Sequence, residues 1–149
     1  MTARPVPRAA LQTAALLVAA VLTRGAGAGP EQDYTLYCMG CHGATAQGVP
    51  GRIPALAGAL ARFMRTSAGR NYVLRVPGAA NSVLSDAQLA AVLNWLAERY
   101  RGSEDPLPEP FTVEEVTTLR HTPLADMQAR RREVVQELAA TGAAPASTY

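Results

Sequence analysis

Lysine is absent from this sequence, and the absence restricts how its positive charges can act. All 14 basic residues are arginines, and with 12 acidic residues the formal net charge is only +2. A nucleic-acid-binding protein normally carries a basic patch and a clear excess of positive charge. The near balance therefore argues against nucleic acid as a partner, and any docking patch of positive charge would consist of guanidinium groups.

Motifs for substrate chemistry are also missing. The chain shows neither a Ser/His/Asp set nor a Gly-rich phosphate loop, and histidine and cysteine each occur only twice. The longest apolar run, residues 9–22, is shorter than the roughly 20 residues that a membrane-spanning helix needs. We therefore expect a protein that is not itself an enzyme and that has no stable membrane span after processing.

The N-terminal segment, residues 1–28, has the pattern of a secretory signal peptide. Residues 1–8 carry two arginines and no acid, the apolar run follows, and Ala26-Gly27-Ala28 forms a small-x-small cleavage site. Cleavage after Ala28 leaves residues 29–149, with 11 arginines and 12 acidic residues, as an exported periplasmic chain. An uncleaved signal would anchor the protein to the membrane instead, and Arg24 beside the cleavage site keeps that alternative open.

Residues 38–42, Cys-Met-Gly-Cys-His, form the most specific motif of the chain. Two thiols three positions apart and a following imidazole are the pattern of c-type haem attachment. Each thiol can form a thioether with one vinyl group of the porphyrin, and the adjacent imidazole can ligate the iron. We predict one covalently attached haem c, held by Cys38 and Cys41, with His42 as the proximal axial ligand of the iron.

Two other uses of the same cysteines remain as alternatives. A thiol redox protein is one, although the βαβ context of such proteins is not found. A zinc site is the other, and its four ligands would be Cys38, Cys41, His42 and the distant His121.

Helical and loop segments alternate along the rest of the chain. Ser85 and Gln88 form a capping box at the start of an amphipathic helix. Tyr34 and Tyr37 lie one helical turn apart and are expected in the core, whereas Arg70 is expected on the solvated surface rather than at a haem propionate. The patterns before Ser85 predict a helix over residues 31–41, a Gly- and Pro-rich loop over 43–58, two helical stretches within 59–76 and a turn-rich loop over 77–83.

Four features in this order resemble the class I cytochrome c family. They are the Cys-x-x-Cys-His-Gly motif, the Gly-rich loop, the Pro-x-Leu-x-Gly stretch at 54–58 and the Leu-Ser-Asp stretch at 84–86. The resemblance covers residues 33 to about 100 and implies an all-α cytochrome c fold around one haem. It also implies that the carbonyl of Pro54 accepts a hydrogen bond from the second ring nitrogen of His42, which would hold the ring and raise its basicity toward iron. The last core helix of the family crosses the first.

The remaining residues form an extension outside the family core. Residues 29–101 are the predicted cytochrome c domain, 102–110 a Pro-rich linker, and 111–149 a C-terminal helical extension. Thr112 and Glu115 repeat the capping pattern before a short helix, a second helix is predicted over 125–140, and residues 142–149 are predicted to be disordered. We interpret the extension as a strap around the globule, with a partner-docking arm as the alternative.

The second axial ligand of the iron is the main departure from the family pattern. In the family a methionine lies in the loop before the last core helix, but residues 77–83 contain none. Met64 is the predicted distal ligand, and its alternative role is ordinary packing. Met127 and His121 would require the extension to fold across the haem, and Asn81 or water would leave the iron without a strong protein ligand.

The preferred function is that of an exported one-electron carrier. Its predicted partners are redox proteins, with a periplasmic dehydrogenase as donor and another cytochrome or an oxidase as acceptor, and its reaction rates are expected to depend on ionic strength. The alternative is a haem protein with an open distal site that binds a small ligand, or a subunit of a larger redox enzyme.

Overall fold

The fold is all-α, as the sequence predicted, in the residues that the computed structural model describes, 29–143. The predicted signal peptide and residues 144–149 lie outside this range. Within it, the β-type pairing is limited to an isolated bridge between Val49 and Ile53. Eight helical segments follow one another: α1 Pro30–Tyr37, α2 Met39–His42, α3 Leu60–Phe63, α4 Ser67–Arg75, α5 Pro77–Ala80, α6 Asp86–Arg99, α7 Val113–Leu119 and α8 Met127–Ala140.

Helix α6 begins where its capping residues predicted. The Gln88 backbone N–H donates to Ser85 Oγ, and the Ser85 N–H donates to Gln88 Oε1, so both arms of the capping box are present. Gln88 Nε2 also donates to Oδ2 of the buried Asp33 on α1 at 3.3 Å. The cap therefore fixes the start of α6 and ties it to the first helix, and α1 and α6 pack against each other as the family resemblance implied.

The first helix is shorter than predicted. Cys38 has φ −123°, which leaves the helical region, so α1 ends at Tyr37 and the separate turn α2 carries the second cysteine. Tyr34 is buried, with its ring 5.8 Å from that of Trp95 on α6, as expected. The expectation that Tyr37 lies in the core is wrong, because this residue ends α1 and its side chain is 52% exposed.

The segment between α4 and α6 is also more regular than predicted. The two helical stretches expected within residues 59–76 are present as α3 and α4, but the supposed loop over 77–83 begins with the helical turn α5. Pro77 occupies the first position of that turn, where its fixed φ suits a helix and its missing N–H costs no bond. The interpretation of this segment as loop alone was therefore wrong.

The hydrophobic core joins the helices of residues 29–101 with those of the extension. Its buried members come from α1, α3, α4 and α6 and also include Phe111, Val116, Val134 and Leu138 of the extension. Helices α7 and α8 pack on α6 and α4, respectively. This is the packing of a strap rather than of a free arm, because the extension contributes fully buried side chains to the same core.

Three arginines fasten the extension by bridging pairs of backbone carbonyls. Arg70 donates to the carbonyls of residues 109 and 110 at 2.7 and 3.1 Å, and Arg75 to those of 122 and 123 at 2.6 and 2.7 Å. In the opposite direction, Arg120 of the extension donates to the carbonyls of 82 and 84 at 2.6 and 2.9 Å. Two of these carbonyl pairs include the carbonyl of a proline. The chain beside each of these prolines forms no helix or strand, so the arginines supply hydrogen bonds that regular structure does not.

The expectation that Arg70 lies on the solvated surface is therefore wrong. Its side chain is largely buried, its Nε donates to Glu115 Oε1 at 2.7 Å, and its guanidinium stacks 4.4 Å from the ring centroid of Phe111. Both partners lie in the extension, far from Arg70 along the chain. Local sequence around Arg70 contains no sign of them.

The linker and the end of the extension are held as well. Asp105 is buried and accepts a hydrogen bond from Arg62 Nε at 2.9 Å, so the linker is fixed to α3. At the other end, Gly142 adopts φ +71° and the Ala143 N–H donates to the Leu138 carbonyl at 2.8 Å. These two residues close α8 and were wrongly included in the predicted disordered end.

Candidate haem-binding site

The predicted attachment motif occupies a single turn of the chain. After the break at Cys38, the N–H groups of Cys41 and His42 both donate to the Cys38 carbonyl, at 3.1 and 3.0 Å. The Gly43 N–H donates to the Met39 carbonyl at 2.8 Å and completes the turn. Two thiols and one imidazole are thus carried on one short element.

Both cysteine thiols are free, since no disulfide joins them. Cys38 is half-buried and Cys41 is exposed. Burial raises the pKa of the Cys38 thiol, and the negative charge of Asp33 and the neighbouring Cys41 raise it further. In the chain without a cofactor, Cys38 is therefore a protonated thiol at neutral pH, available for a thioether bond.

His42 is oriented by the Pro54 loop. Its Nδ1 lies 3.2 Å from the Pro54 carbonyl oxygen, which accepts the hydrogen bond in the tautomer that carries the proton on Nδ1. Burial lowers the pKa of His42, and the bond to Pro54 acts in the opposite direction. The ring is therefore neutral at neutral pH with Nε2 left as a lone-pair donor, the form in which imidazole binds a metal.

Gly48 brings the Pro54 loop against His42, a role that sequence reasoning missed. Its N–H donates to the His42 carbonyl at 2.8 Å, and its φ of +68° is in the left-handed region. A Cβ on this residue would lie 2.3 Å from the Ile53 carbonyl oxygen and 2.7 Å from the Pro54 carbonyl carbon. Glycine is therefore required here for both conformation and space. The sequence shows it only as one of several glycines in the loop.

Two tyrosine hydroxyls fix the residues that follow His42. The buried Tyr34 donates to the Gly43 carbonyl at 2.5 Å, and Tyr100 donates to the Ala44 carbonyl at 3.3 Å. Burial raises the pKa of Tyr34, so its hydroxyl remains a donor at neutral pH. The sequence predicted that Tyr34 lies in the core but not that its hydroxyl reaches the attachment segment.

The residues around the motif fit a porphyrin. A set of apolar side chains packs against the core on one side and stays partly exposed on the other, as expected of a surface that a flat apolar group covers. The donor set also fits, with two thiols for covalent attachment and one neutral imidazole for iron. The members of the apolar set in the motif or in the loop that follows it are Cys38, Met39, Leu56 and Ala57.

The four candidates for the distal ligand lie in different surroundings. Met64 is 2% exposed and belongs to the hydrophobic core, while Met127 packs partly buried on that core from α8. His121 and Asn81 are exposed. Distal ligation by any of them stays a prediction.

No group of three or more His, Cys, Asp or Glu side chains within residues 29–143 is arranged to hold a metal ion by itself. This finding gives no support to the zinc alternative. In the same part of the chain, no helix has the length and apolar character needed to cross a membrane.

Together, the helical fold and the Cys-x-x-Cys-His turn with its proline-bound imidazole are those of a c-type cytochrome. The chain is 34% identical to cytochrome c-552 of Thermus thermophilus over 110 residues, which cover 61% of this chain and 84% of that protein. A second cytochrome c-552 of the same species is also 34% identical over 110 residues and is covered to 74%. No protein-family model matches the chain.

The chain therefore belongs to the c-type cytochromes, which are electron-transfer proteins with covalently bound haem c rather than enzymes. In the aligned region this chain has fewer residues than cytochrome c-552. Since 61% of 149 residues is about 91, the 110 aligned positions include about 19 at which this chain has no residue.

Proposed function

We propose that this protein is an exported class I cytochrome c that carries single electrons between a periplasmic dehydrogenase and a downstream cytochrome or oxidase. Haem c is attached through Cys38 and Cys41, and His42 is the proximal ligand of its iron. The observation that carries the proposal is the hydrogen bond from His42 Nδ1 to the Pro54 carbonyl. His42 itself lies on the same short turn as both thiols. A histidine held in this way presents Nε2 in a fixed direction.

Each residue of the site has a separate task. Bound haem supplies a one-electron couple between ferric and ferrous iron. The thioethers prevent its loss, the Pro54 carbonyl holds the proton on Nδ1, and Gly48 and Tyr34 fix the backbone carbonyls of His42 and Gly43, respectively. Because these contacts are in place in the chain itself, little rearrangement accompanies a change of charge at the site.

Covalent attachment gives the first test. The protein is expressed together with a haem-attachment system, denatured and separated by electrophoresis, and stained for haem. The wild type should keep its haem through denaturation, the Cys38→Ala/Cys41→Ala double variant should lose it, and Tyr37→Phe should behave as wild type because its hydroxyl is not part of the site. A colourless wild-type protein would remove the proposal and revive the thiol or zinc alternatives.

A second candidate function is the binding of a small ligand at an open sixth position of the iron. The observation that favours it is the burial of Met64, which is 2% exposed and belongs to the hydrophobic core. The reduced holoprotein should then bind carbon monoxide at neutral pH. A six-coordinate spectrum with the weak sulfur-to-iron charge-transfer band that disappears in Met64→Leu would instead establish Met64 as the ligand.

A further inference from the structure

Three aromatic side chains lie in contact with one another beside the attachment turn. The ring centroids of Tyr34 on α1 and Trp95 on α6 are 5.8 Å apart, and those of Trp95 and Tyr100 are 5.9 Å apart. Both separations are those of packed aromatic rings. Tyrosine and tryptophan lose an electron far more easily than phenylalanine does. The three rings, called the aromatic triad below, can therefore accept an oxidising equivalent and pass it on.

Hydrogen bonds join both ends of the aromatic triad to the segment that follows His42. The Tyr34 hydroxyl donates to the Gly43 carbonyl at 2.5 Å, and the Tyr100 hydroxyl donates to the carbonyl of the next residue at 3.3 Å. Burial raises the pKa of Tyr34, and Tyr100 and Cys38 raise it further, so the hydroxyl is also within electrostatic reach of one thiol of the motif. Two short routes of covalent and hydrogen bonds thus connect the proposed iron ligand with the triad.

The two ends of the triad differ in their access to solvent. Tyr34 is 2% exposed, and its hydroxyl is bonded to a peptide carbonyl, which is too weak a base to take its proton. Trp95 and Tyr100 are partly exposed, and the hydrogen bond of the Tyr100 hydroxyl is open to solvent. A phenol that loses an electron becomes a stable neutral radical only if it also loses its proton. Tyr100 can do so, whereas Tyr34 serves as a bridge.

We propose that Tyr34, Trp95 and Tyr100 form a path that returns electrons to haem oxidised by hydrogen peroxide and moves the oxidising equivalents to the protein surface. This inference rests on the proposed attachment of haem at Cys38 and Cys41. A covalently attached haem cannot be exchanged once it is damaged. Rapid removal of oxidising equivalents from it therefore protects the whole protein.

The proposed reaction balances in electrons and protons. Hydrogen peroxide takes two electrons from the ferric haem and two protons from solvent and leaves as two molecules of water. One electron is returned by Tyr100, whose phenol proton goes to solvent, and the other by Trp95, whose indole proton goes to solvent. The products are one neutral radical on each of these two rings. A small diffusible reductant such as ascorbate can then restore both side chains.

Purified ferric holoprotein treated with hydrogen peroxide provides the test. Electron paramagnetic resonance of rapidly frozen samples detects the radical, and mass spectrometry of peptides labelled with a spin trap locates it. Loss of the Soret absorption reports destruction of the haem. For the wild type we expect a tyrosyl radical, with spin-trap adducts at Tyr100 and Trp95, and slow bleaching.

Matched variants separate the triad from other tyrosines. Tyr100→Phe keeps the packed ring but removes one of the two electrons returned for each peroxide, so the tyrosyl signal should be lost and the haem should bleach about twofold faster or more. Trp95→Phe should also accelerate bleaching, because it interrupts the path. Tyr37→Phe is the control, because Tyr37 directly precedes Cys38 and is 52% exposed but lies outside the triad. It should behave as wild type.

Three results would overturn the inference. The first is an unchanged radical signal and unchanged bleaching in Tyr100→Phe, which remains informative even if Trp95→Phe does not fold. The second is loss of the signal in Tyr37→Phe, which would place the radical beside Cys38. The third is ferric holoprotein that does not react with peroxide, because no oxidising equivalent then reaches the rings. A wild-type protein without bound haem contradicts the proposed function itself, so the two failures are distinguishable.

Discussion

Replacing Gly48 with alanine tests how the Pro54 loop is held against His42. An added Cβ would lie 2.3 Å from the Ile53 carbonyl oxygen, and ordinary contact begins at 3.4 Å, so the loop must open by about 1 Å. That movement separates Gly48 from the His42 carbonyl and Pro54 from Nδ1. Gly58 provides the control, because it has the same φ of +68° but nothing within 4 Å of its Cβ position.

The expected cost follows from these contacts. The left-handed conformation costs about 1–2 kcal/mol in both variants. Gly48→Ala also loses two hydrogen bonds, at about 1 kcal/mol each. We therefore expect the free energy of unfolding to fall by about 3–4 kcal/mol for Gly48→Ala and by about 1–2 kcal/mol for Gly58→Ala.

The reduction potential provides a second readout of the same change. The bond from Nδ1 to Pro54 makes His42 a stronger donor, which favours ferric iron, so its loss should raise the potential. The bond is present in both oxidation states, so the shift is the difference between its two strengths, and a bond of about 1 kcal/mol limits it to about 40 mV for one electron. Denaturant unfolding and voltammetry of both holoproteins provide the measurements. Equal stability losses in the two variants, or an unchanged potential in Gly48→Ala, would refute the reasoning.

Three further outcomes are expected. Arg70→Ala should lower the free energy of unfolding by about 2–4 kcal/mol in denaturant melts, because it leaves buried partners unpaired, while the exposed Arg65→Ala should change it by less than about 0.5 kcal/mol. Leu138→Ala should cost about 2–5 kcal/mol if the extension belongs to the core, and a loss below about 1 kcal/mol would contradict that packing. Hydrogen bonds from Thr117 and Arg120 hold the pKa of Asp86 below its usual value. Their stabilisation is present above about pH 4 and is lost as the pH falls through the folded pKa. Wild type and Asp86→Asn should therefore converge in stability in acid, and a constant difference from pH 7 to pH 3 would contradict this.

Local sequence predicted those features whose causes are local. The capping box at Ser85 involves residues three positions apart, and the attachment motif spans five, so both could be read directly. The contact between His42 and Pro54 was expected from the family resemblance, since nothing in the loop itself predicts that the Pro54 carbonyl lies beside His42 Nδ1. Long-range partners were missed. Arg70 was assigned to the surface because its carboxylate and aromatic partners lie beyond the linker, in a different part of the chain.

The errors within helices have equally simple causes. The pattern of residues 31–41 is helical throughout, but the break at Cys38 depends on a backbone conformation that the pattern does not encode. The prediction that Tyr37 lies in the core rested on its spacing from Tyr34. Because Tyr37 is the last residue of a short helix, its side chain extends past that of Tyr34. The role of Gly48 could be identified only after Ile53 and Pro54 were seen beside it.

The hydrogen bonds by which three arginines hold the extension determine which of the residues involved can be substituted. Arg70, Arg75 and Arg120 each bridge two backbone carbonyls, and every residue has a carbonyl. Side chains at positions 109 and 122 can therefore be substituted without loss of these hydrogen bonds. The arginines themselves cannot be replaced by lysine, because a single ammonium group does not reproduce a planar fork that reaches two acceptors. Side-chain changes should therefore be tolerated at the residues whose backbone carbonyls accept these hydrogen bonds, and excluded at the three arginines that donate them.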